Sequence, residues 1–432
     1  MRRSVWPVRV FAVDDSSAQL TWRASPAEAL RLEIGDLVAE PPCSPQAELV
    51  VSLVSGWGVP GPALAGGAGN EGPATGRNFP GLRGRRLLDP AWPGGPGALV
   101  FDGLAPDTSY DVVASARGVP RFLAARLRTL PAPDGRLLCR FATVSDVHIG
   151  EKHFGLLGRL HDGQGEWGDG QTTQTYAARA LTAAFKEAAA WGAELIVAKG
   201  DLTRKTAAAE VRDAGRLLAA STVPVETMLG NHDNQLGVNV RGVLASQGVR
   251  VPWRPTAVDL PGVRLVLANT PHSIPRHHNG QVTADVRRRV AELAAEAAAT
   301  GTGVWVGLHH PPEMRRYPTV YPPGIPFGES RALLSALAAA QPNTFVTCGH
   351  RHRNRRYGYG PLVISEVGST KDYPGVWAGY KVFESGIVQI VRRTSRPDVM
   401  AWTEGTRRAV NGQWQRWSPG RLDDRCFAVR WR

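Results

Sequence analysis

Asp, Asn and His residues end five predicted buried strands in the second part of this sequence, and few folds accommodate that pattern. The five polar blocks are Asp146-Val147-His148, Gly200-Asp201, Gly230-Asn231-His232-Asp233, His309-His310 and Gly349-His350-Arg351-His352. Alanine-rich segments of helical length separate the strands, as in layered α/β proteins. Because open α/β sheets place their ligands at the carboxyl ends of strands, we expect the five blocks to meet at one edge.

The apolar runs and the alanine-rich segments predict the elements of this α/β core. Strands are predicted at 139–144, 194–198, 223–229, 304–308, 344–347, 362–366 and 380–390, and helices at 176–190, 206–220, 284–299 and 330–340. The strand runs are short and almost continuously apolar, which favours strands that are buried on both faces.

The amino-terminal part differs from this core and indicates β structure. Apolar and polar residues alternate over 17–23, the period of a half-buried strand. Segment 103–116, GLAPDTSYDVVASA, resembles the turn into a late strand of a fibronectin type III sandwich, with Tyr110 at the corner position. Gly and Pro make up nearly half of 56–97, which predicts a long loop.

Three domains are therefore predicted. Residues 1–136 form an all-β, fibronectin type III-like sandwich, 137–396 form the α/β core, and 397–432 form a small β-rich appendage.

Composition excludes several classes of protein. The chain has 432 residues, of which 43% are hydrophobic and 21% charged, so wholesale disorder is excluded. No apolar run reaches the roughly 18 residues of a membrane-spanning helix, so no membrane partner is expected. The amino end lacks a conventional export signal and the four cysteines include no CxxC pair. We expect a cytoplasmic protein without a disulfide framework.

The net charge of +13 raises nucleic acid as a partner. The arginines are scattered in short pairs such as Arg85-Arg86 and Arg315-Arg316 instead of one stripe. A solvated basic surface is therefore favoured over a nucleic-acid partner. The sequence leaves open whether the chain forms a homo-oligomer.

The donor types in the five blocks predict a metal site. Carboxylate, amide and imidazole groups without cysteine suit Mn, Fe or Zn. Alternate residues of an extended segment point the same way, so we expect Asp146 and His148 to face one ion. By the same rule His310 points away from its neighbour His309, and a structural role is favoured for it. A carboxylate shared between ions about 3.5 to 4 Å apart would complete a site for two divalent or trivalent metal ions.

The ordered motifs SDVHIG, KGDLTRK, LGNHDNQ, LHHPPE and CGHRH resemble the calcineurin-like metallophosphoesterase family over about residues 137–395. This resemblance implies a four-layer α/β/β/α sandwich, with two sheets face to face and helices outside. It implies one metal ion held by Asp146, His148, Asp201 and His352. A second ion would be held by Asp201, as bridge, together with Asn231, His309 and His350.

The same resemblance implies catalytic roles for His232 and Asp233. His232 would stabilise charge on the phosphoryl oxygens or protonate the departing alkoxide. Asp233 would orient His232 and set its tautomer. A hydroxide held between the two ions would be the nucleophile, so no serine or cysteine nucleophile is needed.

The motifs also bear on the substrate. Purple acid phosphatases join a fibronectin-like domain to this core but carry Asp-x-Gly and Gly-Asp-x-x-Tyr, where this chain has His148 and Arg204. The motifs resemble more closely the cyclic-nucleotide and glycerophosphodiester phosphodiesterase branch, which implies a small phosphodiester. Arg204, Asn234, Arg351 and His161 are candidate substrate contacts, since guanidinium groups match phosphate oxygens. For Arg204, Asn234 and Arg351, a side chain that faces solvent or a neighbouring loop is an equal alternative to substrate contact.

The sequence therefore predicts metal-dependent hydrolysis of a phosphoester, with a diester favoured over a monoester. Two alternatives stay open. The net positive charge of the chain favours a nuclease on the same metal core. A binding module that kept the fold and lost catalysis is the other, although every predicted ligand position is filled.

Overall fold

Two six-stranded mixed sheets form the centre of the molecule. The computed structural model describes residues 8–23, 31–39, 51–54, 84–87, 96–116, 119–151, 153–154, 162–163, 167–168, 173–235, 237–407, 409, 412 and 414–431. The first large sheet has the strand order Val225–Met228, Leu195–Lys199, Leu137–Val144, Val376–Phe383, Gly386–Arg393 and Phe427–Arg430. The second large sheet has the order Thr256–Leu260, Val263–Leu267, Gly303–Gly307, Thr344–Cys348, Leu362–Glu366 and Arg355–Tyr359. In each large sheet the strands that lead into the polar blocks pair in parallel.

Helices cover the outer faces of both large sheets. The helices span Tyr176–Ala190, Ala208–Ala219, Val240–Ala245, Ala284–Ala298, Phe327–Ala340, Pro397–Thr406, Trp414–Trp417 and Leu422–Arg425, and Asn231–Asp233 form one 3₁₀ turn. Tyr176–Ala190 begins at Thr175, whose hydroxyl accepts from the Ala178 N–H, and Ala284–Ala298 begins at Thr283 in the same way. None of the helices in the described ranges is long and apolar enough to cross a bilayer.

Three hydrophobic cores separate the layers. Along Leu137–Val144, Phe141 packs between the two large sheets with Trp305, whereas Ala142 and Val144 pack against the outer helices. A third core joins the second large sheet to Ala284–Ala298 and Phe327–Ala340. Burial on both faces explains why these strands are almost continuously apolar. The predicted α/β/β/α layering with an amino-terminal β region is confirmed.

Two smaller sheets make up the amino-terminal β region. One has the order Arg9–Val13, Ser17–Trp22 and Gly97–Asp102, and the other has the order Leu37–Ala39, Arg31–Ile34, Ser109–Ala116 and Val119–Arg128. Both sheets contribute side chains, among them Leu20, Ile34 and Val112, to a single core. Three further two-stranded antiparallel sheets pair Val51–Val54 with Gly84–Leu87, His153–Phe154 with Asp162–Gly163, and Trp167–Gly168 with Thr173–Gln174. Most of the predicted loop at 56–97 lies outside the described residues.

The amino-terminal region is joined to the first large sheet by buried polar contacts. The Gln19 side-chain amide donates to the Arg393 carbonyl and accepts from the Arg393 N–H, at 2.8 and 2.9 Å. Lys381 pairs with Asp14 at 3.0 Å and with Asp15 at 2.9 Å. Contacts of this kind hold the two parts of the chain together, and the domain boundary at residue 136 stays a prediction.

The carboxyl-terminal segment differs from its prediction. A β-rich appendage is predicted, but the described residues after 396 form three helices and one strand, Phe427–Arg430, which extends the first large sheet. Pro397 occupies the first turn of its helix, where the missing N–H costs nothing, and Asp398 lies at the positive end of the helix dipole. The tryptophans of this segment pack against the core, with Trp402 stacked on Tyr176.

Candidate metal centre

The ends of strands from both large sheets bring the predicted ligands into one cluster. The predicted ligands in this cluster are Asp146, His148, Asp201, His309, His350 and His352, and the same groups of potential donors also include His232 and His310. Five of the predicted ligands are buried, and the side chain of His352 is 14% exposed. Of these predicted ligands, His352 is therefore the most accessible to an entering ligand.

The backbone at these positions is unusual. Five of the eight non-glycine residues with positive φ in the described ranges are predicted ligands: Asp146, His148, Asp201, His350 and His352. L-residues rarely adopt this conformation, and its concentration in one place is typical of functional sites. Asp146 and His148 were expected to face one ion because an extended segment alternates. They do lie together, but through left-handed backbone, with φ of 54° and 51°.

Asp146, His148 and His352 form the first ligand group. The Nε2 atoms of His148 and His352 are 3.3 Å apart, and Asp146 Oδ1 lies 3.4 Å from His352 Nε2. The second Asp146 oxygen accepts a hydrogen bond from Ser145 Oγ at 2.6 Å. Two ring nitrogens and one carboxylate oxygen thus converge on one point, the arrangement needed for shared coordination.

Asp201 lies between the first group and His309. Its Oδ2 atom is 3.6 Å from His148 Nε2 and 3.3 Å from His309 Nε2. Its Oδ1 atom accepts the His232 N–H at 2.8 Å, which holds the carboxylate in this orientation. A single oxygen between two histidines of different groups fits the bridging role that the resemblance implies.

The second group contains Asn231, His309 and His350. His309 Nδ1–H donates to the Lys199 carbonyl at 2.8 Å, and His350 Nε2–H donates to the Pro323 carbonyl at 3.0 Å. Each histidine therefore keeps its other nitrogen for a ligand. Within the described residues, the buried Asn231 Oδ1 has no hydrogen-bond partner, and the buried His309 Nε2 faces Asp201 Oδ2 at 3.3 Å. Buried polar atoms are normally satisfied, so the unpartnered Asn231 oxygen fits a metal ion.

The electrostatics of the cluster favour positive charge. Burial alone lowers the pKa of His309, but the Asp201 carboxylate outweighs it and raises that pKa to about 9. Burial is likewise outweighed at His352, where Asp372 and Asp146 raise the pKa to about 10. His148 and His350 are opposite cases. Burial and the neighbouring His232 hold the pKa of His148 well below its ordinary value, and burial and His309 lower the pKa of His350 to about 3. The carboxylates can therefore stabilise cations within this pocket.

His232 points at the cluster, but its tautomer is set differently from the prediction. The centroids of the His232 and His148 rings are 4.5 Å apart. The Nδ1–H of His232 donates to the Arg204 carbonyl at 2.8 Å. The Nε2 atom is thereby left for the site. Asp233 was expected to orient His232, and this is wrong. Its carboxylate accepts instead from the N–H groups of Leu202, Thr203 and Gly230, which ties together the two loops that carry Asp201 and Asn231.

His310 also differs from its prediction. The structure groups it with His309 and His350 as a candidate metal ligand instead of turning it away. The chain bends at both histidines, so strand alternation does not apply there. Thr270 Oγ1 accepts the His310 N–H at 3.1 Å and lies 2.9 Å from its Nδ1. Its buried Nε2 has no hydrogen-bond partner in the part of the chain described.

Sequence reasoning missed a supporting carboxylate, Asp372. It is fully buried and lies 2.8 Å from His352 Nδ1. Lys371 bridges Asp372, at 3.0 Å, and Glu151, at 2.8 Å. Partners of this kind orient a metal-binding imidazole. Asp372 follows the strand Leu362–Glu366, so the polar residues after that strand were the signal that could have found it.

The predicted substrate contacts have different outcomes. Arg204 is half-buried beside His232, to which its carbonyl is bonded. Asn234 Nδ2 donates to the His272 carbonyl at 2.7 Å. The guanidinium of Arg351 is buried against Glu313 and Glu366, which gives it a structural role in place of the predicted substrate contact. His161 lies outside the described residues.

Substitution of Gly230 tests whether metal ions bind in the space between Asp201 and His309. A Cβ at this position would lie 2.2 Å from Asp201 Oδ1 and 2.7 Å from His309 Nε2. We expect Gly230→Ala to weaken metal binding by about tenfold or more, since both groups must shift. Calorimetric titration with Mn²⁺ or Zn²⁺ measures the change. Gly328→Ala is the control, because a Cβ there would meet none of the described residues within 4 Å. Equal metal affinity for the two variants would contradict the placement.

Comparison with known proteins finds similarity to solved structures alone. No protein-family model and no curated protein matches this chain. The purple acid phosphatase PPD1 from yellow lupin (Lupinus luteus) seeds is 13% identical with a TM-score of 0.41, covering 90% of this chain and 72% of that chain. PhoD is 10% identical with a TM-score of 0.37, covering 90% of this chain and 87% of that chain. GAP50, the anchor in the inner membrane complex of Plasmodium, is 13% identical with a TM-score of 0.36, covering 61% and 87%. TM-scores below 0.5 at such identities leave the activity of this chain to be argued from its own side chains.

Proposed function

We propose that this chain is a calcineurin-like metallophosphoesterase that hydrolyses phosphodiesters with two bound metal ions. The observation that carries the proposal is Asp201 Oδ2, which lies within 3.6 Å of His148 Nε2 and 3.3 Å of His309 Nε2. One carboxylate oxygen between two histidine groups is the arrangement that a two-metal phosphoesterase needs.

The residues divide between the two ions as the resemblance implies. Asp146, His148 and His352 would hold one ion, Asn231, His309 and His350 the other, and Asp201 both. When bound, such ions supply Lewis acidity and lower the pKa of a coordinated water. His310 is a further candidate for the second ion, given its place beside His309 and His350.

His232 supplies the acid–base chemistry of the proposal. Its Nδ1–H is held by the Arg204 carbonyl, so proton exchange takes place at Nε2. An Nε2–H can donate to the oxygen of the leaving group or to a phosphoryl oxygen, and either contact stabilises the transition state. Asp233 acts on the loops and not on His232, because its bonds fix the relative positions of Asp201 and Asn231.

Support for a diester comes from the motifs. His148 and Arg204 replace the glycine and tyrosine of purple acid phosphatases, and the blocks are most similar to the cyclic-nucleotide and glycerophosphodiester branch. A nucleic-acid strand is a diester that fits the same proposal, and the exposed arginines and tyrosines of residues 271–280 and 311–325 favour it. An inactive binding module is disfavoured, because every predicted ligand is present in the cluster or, for Asn231, beside it.

A fibronectin type III-like domain is part of the proposal. The two small sheets share one core, and the Tyr110 hydroxyl accepts the Ala105 N–H at 2.8 Å. A tyrosine near the start of a late strand that bonds back to upstream backbone is typical of such sandwiches.

Metal analysis and a paired substrate assay test the function. We expect the purified chain to contain two metal ions and to hydrolyse bis(p-nitrophenyl) phosphate faster than p-nitrophenyl phosphate. Dialysis against EDTA should abolish both activities, and Mn²⁺, Fe²⁺ or Zn²⁺ should restore them. Two bound ions without turnover of either ester would contradict the enzyme, and faster hydrolysis of the monoester would contradict the diester preference.

A further inference from the structure

Two loops beside the metal cluster form one exposed surface. Residues 271–280 and 311–325, here the flanking loops, join through the hydrogen bond from the Gly280 N–H to the Gly324 carbonyl at 3.2 Å. Pro271 pairs with Gly280 and Pro312 with Ile325 across the base of each loop. Both loops are thus held by backbone pairing close to where they leave the core.

The flanking loops are attached to the site itself. His350 Nε2–H donates to the Pro323 carbonyl at 3.0 Å. Asn234, two residues after His232, donates to the His272 carbonyl, and its own carbonyl accepts the Arg276 N–H at 3.0 Å. A molecule bound to the flanking loops would therefore lie next to the predicted ligands and to His232.

Large apolar side chains are exposed on this surface. The described residues include nine exposed large hydrophobic side chains, and Ile274, Met314, Tyr317 and Tyr321 of the flanking loops are four of them. Tyr317 is 78% exposed and Tyr321 67%. Such a concentration beside a functional site is typical of a binding surface.

The arginines of the flanking loops are available to a ligand. Arg276, Arg315 and Arg316 are exposed and form no ion pair with any residue that the structure describes. By contrast, Arg288 and Arg289 of a neighbouring helix pair with carboxylates of their own helix. Glu313 is the sole acidic residue in either loop, and it is buried against Arg351. The surface is therefore basic and lacks an internal counter-charge.

We propose that the flanking loops bind single-stranded nucleic acid, and that the phosphodiester hydrolysed at the metal cluster belongs to such a strand. This rests on the proposed function, because the substrate class presumes that the cluster hydrolyses phosphodiesters. The free guanidinium groups bond to backbone phosphates, and the tyrosine rings stack on bases. A single strand is favoured over a duplex because only unstacked bases offer their faces to aromatic side chains.

Binding of a fluorescein-labelled dT12 strand in EDTA tests the surface without metal or turnover. We expect the affinity of the chain for dT12 to fall with rising salt and to exceed that for a 12-base-pair duplex or for phosphatidylserine vesicles. Arg315→Ala/Arg316→Ala should lower the log–log salt slope by about 1.4, at roughly 0.7 per phosphate contact. Arg288→Ala/Arg289→Ala removes the same charge elsewhere and should leave the slope unchanged.

The stacking contact has its own pair of variants. Tyr317→Ala should weaken dT12 binding by about tenfold, whereas Tyr317→Phe keeps the ring and should bind as the wild type does. Equal losses in Tyr317→Ala and Tyr317→Phe, or equal slopes for the two arginine pairs, would overturn the proposal. So would tighter binding to the duplex or to the vesicles.

Hydrolysis of bis(p-nitrophenyl) phosphate by the wild type separates this proposal from the function on which it rests. Turnover of that ester without dT12 binding overturns the strand-binding surface alone. Binding of dT12 without turnover overturns the phosphoesterase, and with it the assignment of the strand as substrate.

Discussion

Asp201→Asn is expected to bind metal ions at least about 100-fold more weakly than the wild type, and to lose phosphoester hydrolysis with them. Losing even an indirect partner of a metal ligand weakens binding by about 10- to 100-fold, and Asp201 is proposed to contact both ions. The amide oxygen of the variant would still accept the His232 N–H, as Oδ1 does now. Its NH₂ group would then stand at the position of Oδ2, where a donor cannot coordinate a cation.

Metal content by mass spectrometry and calorimetric titration measure this effect. Asp398→Asn is the matched control, since it removes another buried carboxylate that pairs with Arg179 and Arg396 outside the cluster. The control should keep its metal ions even if it unfolds at a lower temperature. An Asp201→Asn variant that still binds two ions with wild-type affinity would show that this carboxylate does not bridge them.

His232→Ala is expected to keep its metal ions and to lose turnover by about 10² to 10⁴-fold, the usual size of an acid–base contribution. The backbone N–H of residue 232, which holds Asp201, is unchanged by the substitution. The side chain is bonded to the Arg204 carbonyl through Nδ1, so its removal leaves the predicted ligands in place. Metal analysis and kcat on the same preparation measure both effects.

The leaving group distinguishes the two roles open to His232. If Nε2–H protonates the departing oxygen, the loss should be larger for glycerophosphocholine, whose alkoxide is a poor leaving group, than for bis(p-nitrophenyl) phosphate. If it stabilises charge on the phosphoryl oxygens, the losses should be similar for both. A His232→Ala variant that loses its metal ions would contradict either role and make His232 a ligand.

The strand and helix pattern of the core could be predicted from local sequence. Helix Tyr176–Ala190 has the predicted bounds, and the strands leading to the polar blocks lie within one or two residues of prediction at each end. Apolar runs of strand length are read reliably when both faces are buried, since every position must then be apolar. Other parts of the pattern were wrong or missed. The predicted strand 380–390 is two antiparallel strands, Val376–Phe383 and Gly386–Arg393. Strands Thr256–Leu260, Val263–Leu267 and Arg355–Tyr359 were not predicted, and the carboxyl-terminal segment is mostly helical.

The sequence by itself determined which donors meet, because parallel strands of alternating α/β units deliver their ends to one place. Only the tertiary structure decided the orientation of those donor side chains. The left-handed backbone at Asp146 and His148, the bend at His310 and the Arg204 carbonyl that holds His232 all depend on loops packed together from distant segments. Local sequence carries the identity of a side chain, whereas its direction and its hydrogen-bond partner are set by neighbours far along the chain, such as Asp372 beside His352.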